Sequence, residues 1–187
     1  TNEINRMLII GMLLKKAMRG NLDIMTPYQN ILNNEPISID EKCDNFEDEI
    51  ILVENIKKTF LLLLGKAFEK YGPEIDKNQQ VLLSLSDLAI EAYLSESTLK
   101  RTIKNINRTS LEDQYDQINM TKLYIYEACQ IVINKSNDVI NSIIDQKNQD
   151  KIYSAIINKL KYRKNPNVFE LKTKIADKII SENKYCF

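Results

Sequence analysis

The chain has 187 residues, of which 43% are hydrophobic and 28% are charged, and its 26 basic and 26 acidic residues cancel. This length suits one large helical domain or two small ones with a buried core, and zero net charge does not favour non-specific binding to nucleic acid or anionic membranes. Histidine is absent and only four glycines occur, which excludes Ser-His-Asp and Cys-His nucleophiles, imidazole zinc sites, Glu-x-x-His di-iron sites and glycine-rich phosphate loops.

The first predicted element is an amphipathic helix over residues 2–18, with Gly20 as its terminator. Its apolar side chains recur at helical spacing: Ile4, Met7, Leu8, Ile9, Met12, Leu13 and Leu14. Because the sequence begins inside this helix and without a methionine, we expect that an upstream segment has been removed or trimmed. Exposed apolar area costs roughly 25 cal/mol per Å², so we expect this helix to pack on the rest of the chain or on a second chain.

A connector over residues 21–46 follows the first helix. Pro27 and Pro36 interrupt it, and one short helix is predicted after Pro27. Residues 40–49 are strongly acidic. Such a run is typical of a solvated linker and a helix N-terminus, and we favour that interpretation over a metal site.

Two long helices are predicted next. The first spans about residues 47–71, and the second begins after a capping box formed by Asp76 and Gln79. The inner face of the second helix alternates three- and four-residue steps, as in a helical bundle: Val81, Leu85, Leu88, Ala92, Ser95, Leu99, Thr102 and Ile106.

Three more helices complete the chain. Ser110 with Asp113 is predicted to cap the first of them, a short helix over about residues 150–161 follows, and Asn167 with Glu170 caps the last. The inner face of the first is Ile118, Ile125, Ala128, Val132, Val139 and Ile143. The apolar stripe of the last is Val168, Leu171, Ile175 and Ile179. We expect these stripes to be needed in full for the core.

We therefore predict an all-α fold: an antiparallel helical bundle over residues 47–187, preceded by a separate amphipathic helix within residues 1–20 and by the acidic connector 21–46. No apolar run reaches membrane-spanning length, and no signal peptide is visible. The three cysteines are widely spaced and odd in number, which favours free thiols and a cytoplasmic location: Cys43, Cys129 and Cys186.

Asp87 and Glu91 lie four residues apart, a spacing that can present two carboxylates on one helix face. Acid–base chemistry needs environments that separate the pKa values of the two groups, and the sequence gives no sign of a pocket around them. We therefore predict that both side chains are exposed surface residues. Two further pairs are predicted to form weak surface salt bridges: Glu54 with Lys58, and Glu96 with Lys100.

The C-terminal third is locally basic. Residues 151–187 carry nine Lys or Arg against three acids, whereas residues 36–80 carry ten acids against six bases. A basic amphipathic helix can bind an anionic membrane or partner, but we favour a solvated face or a face that complements the acidic segment. Four tyrosines are not set in a basic groove pattern, so no nucleic-acid partner is predicted: Tyr124, Tyr126, Tyr153 and Tyr162.

The opening T-N-E-I-N-R is similar to the motif Glu-Gly-Thr-x-x-hydrophobic-x-Arg of the acyl-CoA dehydrogenases, with Thr1, Ile4 and Arg6 on its Thr, hydrophobic and Arg positions. Residues 79–102 resemble the helical extension of the larger, very-long-chain type of that family. Residues 175–185 resemble the C-terminus of its bacterial members. The resemblance therefore covers essentially the whole chain.

This resemblance implies a non-catalytic C-terminal helical domain of an FAD-dependent acyl-CoA dehydrogenase. The parent enzyme of fatty acid β-oxidation would oxidise acyl-CoA to trans-2-enoyl-CoA and pass electrons to an electron-transfer flavoprotein. The glutamate that acts as its base would stand two residues before Thr1, so we expect the chain alone to be inactive. Thr1 and Glu3 would lie beside the FAD, and residues 4–18 would be the last helix of the catalytic body.

Such extensions are also expected to support dimerisation and, in very-long-chain relatives, peripheral membrane association. From the residues alone, a freestanding helical interaction or scaffold module without an enzymatic parent remains the alternative. The reading frame upstream of Thr1 distinguishes the two hypotheses. A continuous frame with an aromatic-Glu-Gly triplet indicates the dehydrogenase, and a start codon near Thr1 indicates the module.

Overall fold

The computed structural model of the chain describes residues 2–33, 43–106 and 111–183. These ranges contain seven α-helices and two short 3-10 helices, Asp44–Phe46 and Gly72–Lys77, and no strand. This confirms the predicted all-α helical bundle. The α-helices are α1 Asn2–Met18, α2 Met25–Leu32, α3 Glu47–Tyr71, α4 Gln79–Ile106, α5 Leu111–Ile143, α6 Gln146–Lys159 and α7 Val168–Glu182.

Helix α3 lies at the centre of the bundle because it is apolar on most of its sides. It packs against α2, α4, α5 and α6. The short helix predicted after Pro27 begins slightly earlier, at Met25, and places the fully buried Tyr28 on α3. The Tyr28 hydroxyl donates to Glu69 at 2.5 Å, and its ring lies so close to Gly65 that a Cβ there would come within 2.5 Å of it. Helix α2 is therefore fixed to α3 by a close approach that glycine permits.

Helices α4 and α5 pack along each other and along α3. Every residue of the predicted inner face of α4 is buried. On α5 the predicted inner face is also buried, except for the half-buried Ile118. The hydroxyls of Thr102 and Thr121 hydrogen-bond each other at 2.8 Å between the two helices. These two threonines therefore satisfy each other's hydroxyls inside the core.

The predicted helix caps have different outcomes. Asn167 caps α7 as predicted, since its side chain accepts a hydrogen bond from the Glu170 backbone N–H at 3.3 Å. The capping box at Asp76 is wrong because Asp76 belongs to the 3-10 helix Gly72–Lys77, and α4 begins only at Gln79. The cap predicted from Ser110 and Asp113 lies outside the residues and side chains that the structure describes.

One of the two predicted surface salt bridges is confirmed, and the other has a different partner. Glu96 pairs with Lys100 at 2.8 Å, as predicted. Glu54 pairs with Lys57 at 2.5 Å rather than with Lys58, because Lys57 lies between Glu54 and Glu96 and reaches both of them. The pairing thus connects α3 with α4 instead of running along α3 alone.

Helix α7 is more peripheral than its sequence predicts. It packs against α5, and none of its residues is fully buried. Val168, Leu171 and Ile175 are half-buried, but Ile179 is 40% exposed and therefore leaves the predicted stripe. The expectation that the core needs this stripe in full was wrong, because α3 to α6 already provide most of the buried apolar side chains.

Candidate interaction site

Helix α1 is held on the bundle by a small apolar contact and a polar cluster. Its Ile10 and Leu14 are buried, and the helix packs against α4. Arg6 forms a salt bridge with Asp87 of α4, and the Ser86 hydroxyl donates to the backbone carbonyl oxygen of Arg6. The expectation that α1 packs on the rest of the chain is confirmed for this side of the helix.

Asp87 connects three helices. Besides Arg6 of α1 it binds Lys135 of α5 at 3.1 Å, and its side chain is only 17% exposed. Glu91, one turn further along α4, accepts a hydrogen bond from the Tyr124 hydroxyl at 3.0 Å. Burial, together with the negative charge of Glu91, raises the pKa of Tyr124. The prediction that both carboxylates are exposed was wrong, and they serve different partners instead of forming a catalytic pair.

The opposite side of α1 exposes a row of apolar side chains. Ile4, Leu8 and Met12 are 59%, 51% and 58% exposed and follow one another at four-residue steps. Further exposed apolar residues continue the row toward α2. We call this surface the α1 face: Ile4, Leu8, Ile9, Met12, Met18, Leu22 and Met25. Exposed apolar patches of this kind are typical of contact sites.

A cavity of about 160 Å³ opens between α1, α2 and α3. Met18 and Met25 belong both to its wall and to the α1 face, so the two features are continuous. Its lining is apolar: Leu14, Ala17, Met18, Ile24, Met25, Leu64, Gly65 and Phe68. Such a recess suits an apolar anchor side chain of a partner, because buried anchors in pockets contribute most of the free energy of an interface.

The placement of Thr1 and Glu3 beside FAD stays a prediction. Thr1 lies outside the described residues. Glu3 stands in the first turn of α1, and its neighbours Asn2 and Ile4 are exposed like Glu3 itself. Within the described ranges there is also no group of three or more Cys, Asp or Glu that could hold a metal ion.

The structure also contains a polar cleft that was not predicted from the sequence. A cleft of about 430 Å³ lies between the start of α3, helix α5 and the α6–α7 linker, residues 160–167. Glu49 lines this cleft although it is only 3% exposed. Burial raises the pKa of Glu49, whereas the positive charge of Lys122 acts in the opposite direction. The prediction that residues 40–49 are all solvated was therefore wrong for Glu49.

The spacing along α3 could have revealed this burial. Glu49 precedes Leu52, Val53 and Ile56 by three, four and seven residues, and all three are buried on α3. These intervals place residues on one helix face.

Burial, with the charge of Glu49 nearby, also raises the pKa of the Cys129 thiol to about 12. This thiol is therefore protonated and unreactive at neutral pH.

The tyrosines considered for base stacking are part of the fold. Tyr162 is buried, and its hydroxyl donates to the Lys122 backbone carbonyl at 3.3 Å. Its ring centre lies 6.1 Å from that of Tyr126. Tyr153 and Tyr126 are half-buried against the core. These three tyrosines therefore contribute to the packing of the bundle.

Four basic residues of the last third form ion pairs within the described part of the chain. Arg163 bridges Asp48 and Glu47, with a distance of 2.9 Å to the latter. Two lysines of α7 reach α5: Lys172 pairs with Glu127 at 2.6 Å, and Lys178 pairs with Asp116 at 3.4 Å. The pairing of Arg163 agrees with one of the interpretations favoured from the sequence, a basic face that complements the acidic segment.

The comparison with protein families decides what kind of domain this is. A family model described as "Acyl-CoA dehydrogenase, C-terminal domain" matches residues 55–159, from α3 to the end of α6. The chain belongs to this family. The resemblance seen in the sequence is thereby confirmed for the helical bundle.

Relatives of known length show how much of such a dehydrogenase the chain represents. A probable acyl-CoA dehydrogenase of Bacillus subtilis is 28% identical over 99% of this chain. The crystal structure of an acyl-CoA dehydrogenase complexed with FAD from Bacillus anthracis matches 100% of this chain with a TM-score of 0.89 and 28% identity. The chain spans 31% and 32% of the lengths of these two proteins.

In the described ranges, none of the helices of this chain is long and apolar enough to cross a membrane.

Proposed function

We propose that this chain is the helical support domain of an FAD-dependent acyl-CoA dehydrogenase and that the rest of the enzyme performs the chemistry. The parent would oxidise acyl-CoA to trans-2-enoyl-CoA in fatty acid β-oxidation and pass the electrons to an electron-transfer flavoprotein. The observation that carries this proposal is the family match over residues 55–159 in a chain that spans 31% of a dehydrogenase relative. FAD would supply the oxidising group, and the remaining part of the enzyme would enclose it.

The α1 face is the surface through which the chain would support that enzyme. One side of α1 is buried on the bundle through Ile10 and Leu14, and the other side exposes the α1 face. We propose that the catalytic body covers the α1 face, with residues 1–20 as its last helix, residues 21–46 as a connector and residues 47–187 as the supporting bundle. Each large apolar side chain that is fully covered contributes about 1.5–3 kcal/mol. Thr1 and Glu3 would then border the FAD site.

We further propose a cytoplasmic homo-oligomer, such as a dimer. Cys43 and Cys129 are free thiols in the structure, which supports a reducing compartment. Membrane contact through residues 151–184 is a separate part of the proposal and has its own test. It predicts binding to anionic vesicles that weakens as salt is added. Absent or salt-independent binding would remove membrane contact from the proposal.

A two-fragment experiment tests the main proposal. The 187-residue chain and the preceding part of the same enzyme are expressed separately and mixed, and FAD retention and acyl-CoA-dependent dye reduction are measured. We expect the chain alone to show neither, and the mixture to form a complex that retains FAD and reduces the dye. A catalytic part that is fully active and stable without the chain would contradict the proposed support.

Surface variants make the test specific to the α1 face. Leu8→Asp together with Met12→Asp should prevent assembly, because the interface would then have to bury two unpaired carboxylates. The matched control is Ile180→Asp on α7, whose side chain is 74% exposed and lies on another helix. We expect the control to assemble like the unmodified chain. If the double variant assembles equally well, the α1 face is not the contact surface.

A further inference from the structure

Helix α7 is attached to the bundle without joining its core. None of its side chains is fully buried, and none belongs to the apolar core formed by the described residues. The helix packs against α5, and its only half-buried apolar residues are Val168, Leu171 and Ile175. Phe169 and Ile180 are 84% and 74% exposed. The apolar contribution to holding α7 is therefore small compared with that of the fully buried helices.

Ion pairs provide the other attachments of α7 and of the linker before it. Lys172 and Lys178 bind acidic residues of α5, and Arg163 binds the start of α3. The pair between Lys172 and Glu127 is 53% and 46% exposed, and the Arg163 side chain is 66% exposed, whereas the pair between Lys178 and Asp116 is only 18% and 19% exposed. The two exposed pairs contribute little to stability and are screened by salt, and the less exposed pair of Lys178 is screened less. A segment held in this way opens far more easily than one with buried apolar side chains.

The linker contains a fixed point at which such an opening can occur. Leu160 and Tyr162 are buried, whereas residues 163–165 are exposed. The Tyr162 hydroxyl hydrogen bond to the Lys122 carbonyl fixes the linker to α5 at this point. Beyond Tyr162, Asn165, Asn167 and Leu171 form one wall of the polar cleft whose other wall contains Glu49. Movement of the chain beyond Tyr162 would therefore open that cleft.

We propose that residues 163–182 form an arm that opens from the bundle as a unit beyond Tyr162, that ionic strength controls this opening, and that the arm covers the cleft beside Glu49 when closed. Helices α3 to α6 stay folded when the arm opens. This property depends only on contacts within the chain. A test of the arm is therefore independent of the proposed role in a dehydrogenase.

Hydrogen exchange of the 187-residue chain at low and high salt tests the arm. We expect amides of α7 to exchange about tenfold faster in about 1 M NaCl, where the Debye length is about 3 Å, than in about 20 mM NaCl, while α3 is unchanged. Helix α6 serves as the internal control because it is also peripheral but contains the buried Ile156. Equal protection of α7 and α3 at both salt concentrations would overturn the proposal, and so would acceleration of all helices together.

Charge variants then assign the effect to the ion pairs. Lys172→Gln with Arg163→Gln should accelerate exchange of α7 at low salt and reduce its response to added salt. The matched control is Lys174→Gln, because Lys174 pairs with Glu170 inside α7 at 2.6 Å and does not reach the bundle. Exchanging the charges with Lys172→Glu and Glu127→Lys should restore the protection lost in Lys172→Gln. An equal effect of the control, or no recovery after the exchange, would refute electrostatic control.

Discussion

Replacing Asp87 with asparagine should destabilise the attachment of α1 more than any other single polar change. Asp87 is 17% exposed and carries the salt bridges to Arg6 and Lys135. A hydrogen bond to a charged group contributes about 1.5–3 kcal/mol. The two cations are 31% and 36% exposed, so solvent screens both and lowers each contribution. We therefore expect Asp87→Asn to lower the free energy of unfolding by about 2 kcal/mol.

Denaturant unfolding of the chain measures this change, and hydrogen exchange shows where it acts. We expect α1 to lose protection first, since Asp87 is its main polar contact with α4 and α5. Asp138→Asn is the matched control because Asp138 lies exposed on α5, and its effect should stay within about 0.5 kcal/mol. A cycle with Lys135→Met should give a coupling energy of about 1 kcal/mol. If Asp87→Asn costs no more than Asp138→Asn, the proposed role of this carboxylate is refuted.

Four further substitutions test the packing and the buried charge. Gly65→Ala should lower the free energy of unfolding by about 1–3 kcal/mol because its Cβ would lie 2.5 Å from the Tyr28 ring. Gly11→Ala, whose Cβ would meet nothing within 4 Å, should raise the free energy of unfolding by up to about 1 kcal/mol. Thermal unfolding of both variants distinguishes strain from helix propensity. Leu88→Ala, at a fully buried position, should cost about 2–5 kcal/mol in denaturant unfolding, and a cost below about 1 kcal/mol would contradict its place in the core. Burial raises the pKa of Glu49 above its ordinary value of 4.5, so ionisation of Glu49 destabilises the folded chain. This destabilisation is absent when the pH lies below the ordinary value and is fully present when the pH lies above the raised pKa. Glu49→Gln should therefore be more stable than the unmodified chain above this range and lose that part of the pH dependence; an unchanged stability–pH curve would show that Glu49 does not cause it.

Periodic features of the fold were predictable from the sequence because backbone geometry repeats. The bounds of α1 and α3 follow from apolar spacing and from terminating glycines, and the inner face of α4 was predicted without error. Asn167 was recognisable as a cap because its hydrogen bond to the Glu170 N–H joins residues only three apart. Local interactions of this kind can be read from sequence alone. They determine where each helix begins and which face turns inward.

Polar partners were not predictable because they join distant parts of the chain. The salt bridge between Arg6 and Asp87 spans 81 residues, so its two ends give no joint signal in one sequence. Asp87 looked like an ordinary surface carboxylate for that reason. Glu49 was misjudged differently: the acidic composition around it outweighed its position on the apolar face of α3. The packing of distant helices therefore decides the case of Asp87, whereas the burial of Glu49 was already indicated by the three- and four-residue spacing along α3.

The two-sided character of α1 is the strongest structural argument that the chain works as part of something larger. Ile4, Leu8 and Met12 centre on one side of the helix, while Ile10 and Leu14 centre on another, about 140° away at 3.6 residues per turn. The bundle buries only the second side. A helix that needed one neighbour would have one apolar stripe and a polar remainder. The second stripe therefore supports the proposed cover of the α1 face by a second neighbour, and the chain spans only 31% of the length of a dehydrogenase relative.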